Sequence, residues 1–286
     1  MWAEGAPLVA SAVDRDNNFI GTINRRIDGR TIRFTAATVN GQRPSRILLQ
    51  SGGGLVCTDA AAFQMGPVAP GQMVSVFGTD IGPARAESAR LNANGRISAE
   101  LAGVRLLFNG IPAPLLFVSK DQINAIVPYA AETADSVLVQ LEKEGKPGVS
   151  VTVPVVSAMP RIFTMHGTGT TPAAAVNEDG KLNSDKNPAR RNSVIAVYGT
   201  GGGMENAVAA DGELARDASR SLRLPITVRI DNRLAEVLYA GAAPGLAGML
   251  QINVRVPAQS ARGNSIPIEI RVASSPSQPL VSIAVQ

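Results

Sequence analysis

The sequence holds one histidine, His166, and one cysteine, Cys57, so any nucleophilic or metal chemistry must be built around very few groups. A Ser-His-Asp system would have to recruit His166. That residue stands beside Gly167 and Thr168, with no Gly-x-Ser-x-Gly elbow in the chain, and reads as an incidental loop residue. One imidazole and one thiol cannot complete a four-ligand zinc set without carboxylates. The run Tyr198-Gly199-Thr200-Gly201-Gly202-Gly203 invites a phosphate-loop reading. It lacks the Gly-Lys-Ser/Thr ending and has no helix-forming run behind it to aim a dipole at a phosphate, so it reads as a strand turning a corner. Asp14-Arg15-Asp16-Asn17-Asn18 and Asn177-Glu178-Asp179-Gly180 place oxygen ligands at alternate positions, as a calcium loop does. Neither is followed by the bidentate glutamate of a 12-residue loop, and Asx residues favour turns for backbone reasons alone. Paired carboxylates of a glycosidase stay open, since their separation in space cannot be read here. No catalytic, cofactor-binding or metal-ligating residue is assigned, and the chain is expected not to be an enzyme.

Two further pairs, Gln122/Asn124 and Gln251/Asn253, recur in matching surroundings. They read as the outward face of a strand, or as ties to a neighbouring loop, with ligand contact as the alternative. The surroundings match because the chain contains an internal repeat. Met73 to Thr79 aligns with Val194 to Thr200 at an offset of 121, and Val104 to Phe108 with Ile226 to Ile230 at 122. Leu115-Leu116-Phe117 aligns with Val237-Leu238-Tyr239 at that same offset, and Gln122 to Pro128 with Gln251 to Pro257 at 129. Val137, Val139 and Leu141 match Ile266, Ile268 and Ile270. The offset grows within the loop from Ala240 to Leu250, where insertion is tolerated.

Each repeated segment alternates apolar and wetter residues with period two, the mark of a strand with one buried face. Val104, Leu106 and Phe108 alternate with Arg105 and Leu107, and Ile252, Val254 and Val256 with Gln251, Asn253 and Arg255. Asn109-Gly110 supplies a tight hairpin, with further turns expected at Gly145 to Gly148 and Ser274-Ser275-Pro276. Roughly half a dozen short strands per copy, with turns every 8 to 12 residues or so, is the pattern of a β-sandwich. The expected fold is therefore all-β: two tandem immunoglobulin-like sandwiches, residues 59–158 and 159–286, behind an N-terminal β-meander at 1–58. The boundary falls near Met159-Pro160. In the meander Ile20 to Ile23, Thr31 to Ala36 and Arg46 to Leu49 read as strands, with turns at Asp28-Gly29 and Asn40-Gly41. Ser51 to Gly54 reads as a joint. A hairpin from Ala173 to Val176, turning at Asp179-Gly180, opens the second copy. Asp80 to Ala102 and Gly201 to Leu224 are long equivalent loops with room for a short helical turn.

Composition agrees. Hydrophobic residues are 45% and charged residues only 17%, with 28 glycines and 19 prolines, a turn-rich chain that can still form real cores. The net charge of +4 is a mild imbalance, and its densest basic spots, Arg25-Arg26, Arg30 with Arg33, and Arg190-Arg191, carry no interleaved aromatics. Nucleic acid is not an expected partner. No apolar stretch approaches the roughly 18 residues of a membrane helix, so no membrane insertion is expected. Met1 to Gly5 lacks a charged n-region leading into an apolar run, and no signal peptide is expected. The first 58 residues are expected either to pack on the first sandwich or to be the tail of a domain further upstream.

Asp59-Ala60-Ala61-Ala62-Phe63, Val68-Ala69-Pro70-Gly71, Val76-Phe77-Gly78, Asn109 to Pro114, Gln122-Ile123-Asn124 and Pro154 stand in the order of the first half of a known family. Asn177 to Asn183, Asn187-Pro188-Ala189, Tyr198 to Gly201, Tyr239-Ala240-Gly241 and Leu250 to Asn253 stand in the order of its second half. Over residues 59–286 the chain resembles the Solibacter-type C-terminal domain family of unknown function, abundant in Acidobacteria. The resemblance implies modules similar to TIG-type immunoglobulin-like domains, at the C-terminal end of a larger secreted or cell-surface protein, and it carries no catalytic residues. Family members follow a long upstream region, whereas only 58 residues precede the match here.

The function these readings predict is a non-catalytic structural or adhesive module with a protein or glycan partner. The alternative is a carbohydrate-binding module, with Tyr129, Tyr198 and Tyr239 as aromatic contacts. Aromatics at 4% and a single tryptophan, Trp2, weigh against a stacked sugar cleft.

Overall fold

In a computed structural model of the chain, side chains are described for residues 54–207 and 209–286, and ahead of them the backbone of five strands. These five are β1 (Leu8–Val13), β2 (Phe19–Thr22), β3 (Arg25–Asp28), β4 (Thr31–Phe34) and β5 (Arg46–Ser51). The expected turns at Asp28-Gly29 and Asn40-Gly41, the Gly52-Gly53 joint, Trp2 and the Asp14 to Asn18 cation loop lie wholly or partly outside the described residues.

The first sandwich holds β6 (Val56–Asp59), β7 (Met73–Phe77), β8 (Glu87–Ser88), β9 (Val104–Phe108), β10 (Ile111–Pro112), β11 (Leu115–Val118), β12 (Gln122–Ile126), β13 (Ser136–Lys143) and β14 (Lys146–Pro154). One sheet runs β6-β7-β12-β11-β8, and the facing sheet runs β10-β9-β13-β14, continued by β5, β1 and β2. In the lettering of immunoglobulin domains these are an A-B-E-D sheet and a C-F-G sheet. The strand order by itself makes the fold immunoglobulin-like. Alternation sets the core: Val104, Leu106 and Phe108 of β9 and Val137, Val139 and Leu141 of β13 point inward against Val74, Val76, Ile123 and Ala125. β6 straddles the expected start at 59, and its Val56 to Asp59 pair with Phe77 to Val74 of β7.

The second sandwich holds β15 (Arg161–Ile162), β16 (Ala175–Asn177), β17 (Val194–Thr200), β18 (Ile226–Ile230), β19 (Arg233–Ala242), β20 (Leu250–Arg255), β21 (Gly263–Val272), β22 (Ser275–Pro276) and β23 (Ser282–Val285). It repeats the order, with β16 added beside β17 and β23 set beside β21, and it changes the path between the two faces. β19 is continuous, pairing with β18 through Arg233 to Ala235 and with β20 from Glu236 onward, so the two faces join in one nine-stranded sheet. In the first copy the same stretch is cut into β10 and β11. Pro112 and Pro114 stand where the second copy has Leu234 and Glu236, and without their N–H groups a continuous ladder cannot form. A separate core fills this sandwich, with Ile195, Val197, Ile252, Val254, Ile268 and Ile270 at its centre.

The Asn109-Gly110 hairpin forms as its residue types demand, with φ of 49° and 83° at its two central positions. Two other turns close slightly earlier than read from sequence, at Glu144-Gly145 and Ala273-Ser274, because Lys143 already pairs with Lys146 and Val272 with Ser275. Neither long loop holds a helix among the described residues; the first carries β8 instead. The helical turn lies at Tyr129–Thr133, behind Pro128, whose φ of −58° starts it.

Cys57 is 1% exposed in the core of the first sandwich, and burial, aided by the nearby Asp59 charge, pushes its thiol up to about 12 from an ordinary 9.0. An unfolded chain therefore gives up this proton first. Stability from this group is intact below pH 9 and is lost as pH rises toward 12, by about 1.4 kcal/mol per pH unit at most. Guanidinium melts across that range are expected to show a smaller alkaline loss for Cys57→Ala than for the wild type. An aromatic disulfide reagent is expected to label Cys57 only on unfolding; stoichiometric labelling of the native protein would contradict its burial.

Candidate functional site

The densest set of buried polar groups among the described residues lies where the two sandwiches meet. Asp59 ends β6 and is 4% exposed, while Arg161 opens β15 and is 5% exposed. Their Oδ2 and Nε atoms stand 3.5 Å apart, an ion pair rather than a hydrogen bond. The carboxylate also accepts from the backbone N–H of Ala61, Ala62 and Gln64, and the guanidinium donates to the carbonyls of Pro160 and Pro276. Burial lowers the Arg161 pKa, and the Asp59 charge opposes that. Beside them the Met73 N–H donates to Thr200 Oγ1 at 2.7 Å, and the same hydroxyl donates to the Gly248 carbonyl.

A second polar group closes the other side. Tyr129 donates its hydroxyl to Glu205 Oε1 at 3.2 Å, and its own N–H donates to Asp211 Oδ1. Glu205 Oε2 lies 3.1 Å from Arg220 Nε, with both side chains about nine-tenths buried. Burial holds the Glu205 carboxyl above its ordinary value, although Arg220 and the Tyr129 hydroxyl pull it down. Burial and then the Glu205 charge raise the Tyr129 phenol. The Ile97 N–H donates to the Gly212 carbonyl between the two long loops.

The glycine run read as a strand corner has a further cause here. A Cβ on Gly201 would lie 2.0 Å from the Met159 carbonyl oxygen, and one on Gly203 2.1 Å from that of Ser157. The end of β17 lies directly on the linker between the sandwiches, and only glycine permits that approach. The joint leaves a cavity of about 20 Å³, too small for an organic ligand. Neither the Asp59–Arg161 pair nor the Tyr129–Glu205–Arg220 cluster is signalled in the sequence, because each joins residues that no local spacing relates.

The other candidates fall elsewhere. His166 is exposed in a turn closed by Gly167 N–H to the Thr164 carbonyl. Among the described residues no three His, Cys, Asp or Glu side chains group as a metal would need. The Asn177 to Gly180 turn, opened by β16, lines a groove of about 370 Å³ with Asn187, Arg190 and Gln286. Two of its oxygens are engaged: Asp179 Oδ1 accepts from the Lys181 N–H and Asn177 Oδ1 from Asn183. The Asn177 amide donates to the Asn187 carbonyl. Tyr129 belongs to the joint, not to a free surface, because its ring packs on Gly71 and its hydroxyl is taken by Glu205. Tyr198 and Tyr239 are half-buried and point out of the second sandwich.

The Gln/Asn pairs occupy the same outward face in each copy. Gln122 Nε2 donates to Asn124 Oδ1 at 2.8 Å, and Gln251 Nε2 to Asn253 Oδ1 at 2.9 Å. Ser75 Oγ joins the first pair by donating to Asn124 Oδ1. Cross-strand partners put Phe77 beside Gln122 and Phe117 beside Asn124; in the second copy they put Tyr198 beside Gln251 and Tyr239 beside Asn253. No helix among the described residues is long and apolar enough to cross a membrane.

No family model matches the sequence, and no curated protein does. Among solved structures the I9-I11 tandem from titin aligns with 99% of this chain and 89% of that chain, at 10% identity and a TM-score of 0.21. The fold assignment rests on the strand order described above.

Proposed function

We propose that the chain is a rigid, non-catalytic pair of immunoglobulin-like sandwiches that acts as a structural or adhesive module of a secreted or cell-surface bacterial protein. The observation that carries this reading is the joint. Two sandwiches with separate cores are tied by the buried Asp59–Arg161 pair, by Tyr129 reaching Glu205, and by backbone hydrogen bonds such as Met159 N–H to the Gly201 carbonyl. Domains that only share a chain move relative to one another by default; burying charged groups between them favours one fixed arrangement, which suits a stalk or spacer. Placement outside the cell is part of this proposal, and what supports it is the motif order of residues 59–286, which resembles that of the Solibacter-type family. The test is small-angle scattering on the purified chain. A single rigid particle whose profile fits the fixed pair is expected, and a profile requiring an ensemble of inter-sandwich angles would overturn the reading.

A further inference from the structure

We propose that the outward faces of the two A-B-E-D sheets are a duplicated binding platform for a neutral, linear polysaccharide. The proposal names the partner of the adhesive reading and rests on it only in taking the chain as non-catalytic. In each copy a central strand, β12 or β20, presents a Gln and an Asn two residues apart, flanked by an aromatic residue on each neighbouring strand. The second copy is the more open, since in the first the Phe77 ring packs on Phe63 at 6.2 Å and Ser75 beside Asn124 is buried. The two amides bond each other through Gln Nε2 and Asn Oδ1, which holds both rotamers. That bond leaves Gln Oε1 as an acceptor and Asn Nδ2 as a donor, neither committed among the described residues. An uncharged acceptor and donor held beside ring faces is the chemistry that recognises sugar hydroxyls and the apolar side of a pyranose.

The placement of one ring requires a special device, and the device occurs twice. Val237 and Leu115 point inward, so plain alternation would send Tyr239 and Phe117 inward too. A register shift between Leu115 and Phe117, and another between Val237 and Tyr239, turns each ring outward beside its Asn. β-Bulges re-aim side chains in this way. Tyr239 is fixed further, donating its hydroxyl to the Ala242 carbonyl at 2.7 Å, so little freedom is lost on binding. The face does not suit an added peptide strand, because β12 lies between β7 and β11, and β20 between β17 and β19, with both edges paired. Two like sites on one chain suit a ligand that repeats, since the second contact is then intramolecular.

The test uses the full chain with four soluble probes, cellohexaose, maltohexaose, mannohexaose and chitohexaose. Binding is read by calorimetry and by the side-chain amide signals of isotope-labelled protein. The expected result is saturable binding of at least one probe that shifts the Asn124 and Asn253 side-chain NH2 signals. Gln251→Ala with Asn253→Ala is expected to weaken that binding about tenfold, the loss of roughly one good hydrogen bond. Should that variant fail to fold, the wild-type amide shifts decide the matter alone. No saturable binding to any probe, or binding that leaves both Asn signals in place, overturns the proposal. Either failure leaves the rigid joint untouched, because the joint is read by scattering.

Discussion

Gly201→Val is expected to split one cooperative unfolding transition into two and to raise the radius of gyration, with both sandwiches still folded. Gly201 has φ of +79°, and a Cβ there would stand 2.0 Å from the Met159 carbonyl oxygen and 2.7 Å from its carbon. Both obstacles are backbone, so no rotamer change relieves them. A β-branched residue in the left-handed region itself costs on the order of 1–3 kcal/mol. The relief open to the chain is to lift residues 201–203 off the linker. That movement breaks the hydrogen bond from the Met159 N–H to the Gly201 carbonyl and strains the neighbouring Thr200 bond to Met73. Each such bond contributes about 1 kcal/mol. The two sandwich cores are untouched, since the residues that fill them come from one sandwich or the other, and only the small linker cluster of Ala69, Val156 and Met159 is disturbed. Gly245→Val isolates the backbone part: φ there is also +79°, but nothing lies within 4 Å. It is expected to lower stability modestly and keep a single transition. Calorimetry and scattering on the two variants check this, and one sharp transition with an unchanged radius for Gly201→Val would show that the close approach of residues 201–203 to the linker does not hold the joint.

The strands were legible because their inputs are local. Period-two alternation marks β9, β13 and β20, Asn109-Gly110 marks its own hairpin, and the repeat lets each copy check the other. The meander is half legible: β2, β4 and β5 coincide with the expected strands to within a few residues, while β1 and β3 carry no such signal, since Leu8 to Val13 and Arg25 to Asp28 lack a clear alternation. What stayed hidden depends on contacts between distant residues. Tyr129 looks like any tyrosine after a proline, yet its hydroxyl meets a carboxylate from the other sandwich. Gly201 to Gly203 look like a corner, and their cause is the approach of a linker that lies far off in sequence. The outer-face pairs were visible as repeats of Gln and Asn. Their aromatic partners were hidden behind a bulge, since alternation counted through Leu116 or Leu238 puts the ring on the wrong side.

The second large effect belongs to Asp59. Asp59→Ala removes an anion facing Arg161 and at the same time the acceptor for three backbone N–H groups, those of Ala61, Ala62 and Gln64. Removing one partner of a buried pair leaves the other charge desolvated and typically costs 3–5 kcal/mol, so roughly that loss is expected in urea unfolding. The turn it caps also holds Phe63 at φ of +54°, strained for a bulky residue, and sets Ala62 against Gly169 of the second sandwich. Losing the caps releases that strain by opening the turn, and the contact goes with it. Arg161→Met is the informative counterpart. It deletes the cation and leaves Asp59 with its three donors, so the remaining carboxylate stays hydrogen-bonded, and an apolar chain of similar length can fill the space. Its expected cost is smaller than that of Asp59→Ala, because the carboxylate left behind keeps its three backbone donors, whereas Asp59→Ala strips both the anion and those caps. The two values together say what the pair does. A large loss at Asp59 with a small one at Arg161 means that the carboxylate organises the turn and the guanidinium mainly neutralises it. Equal large losses would mean that the charge attraction itself holds the sandwiches in place.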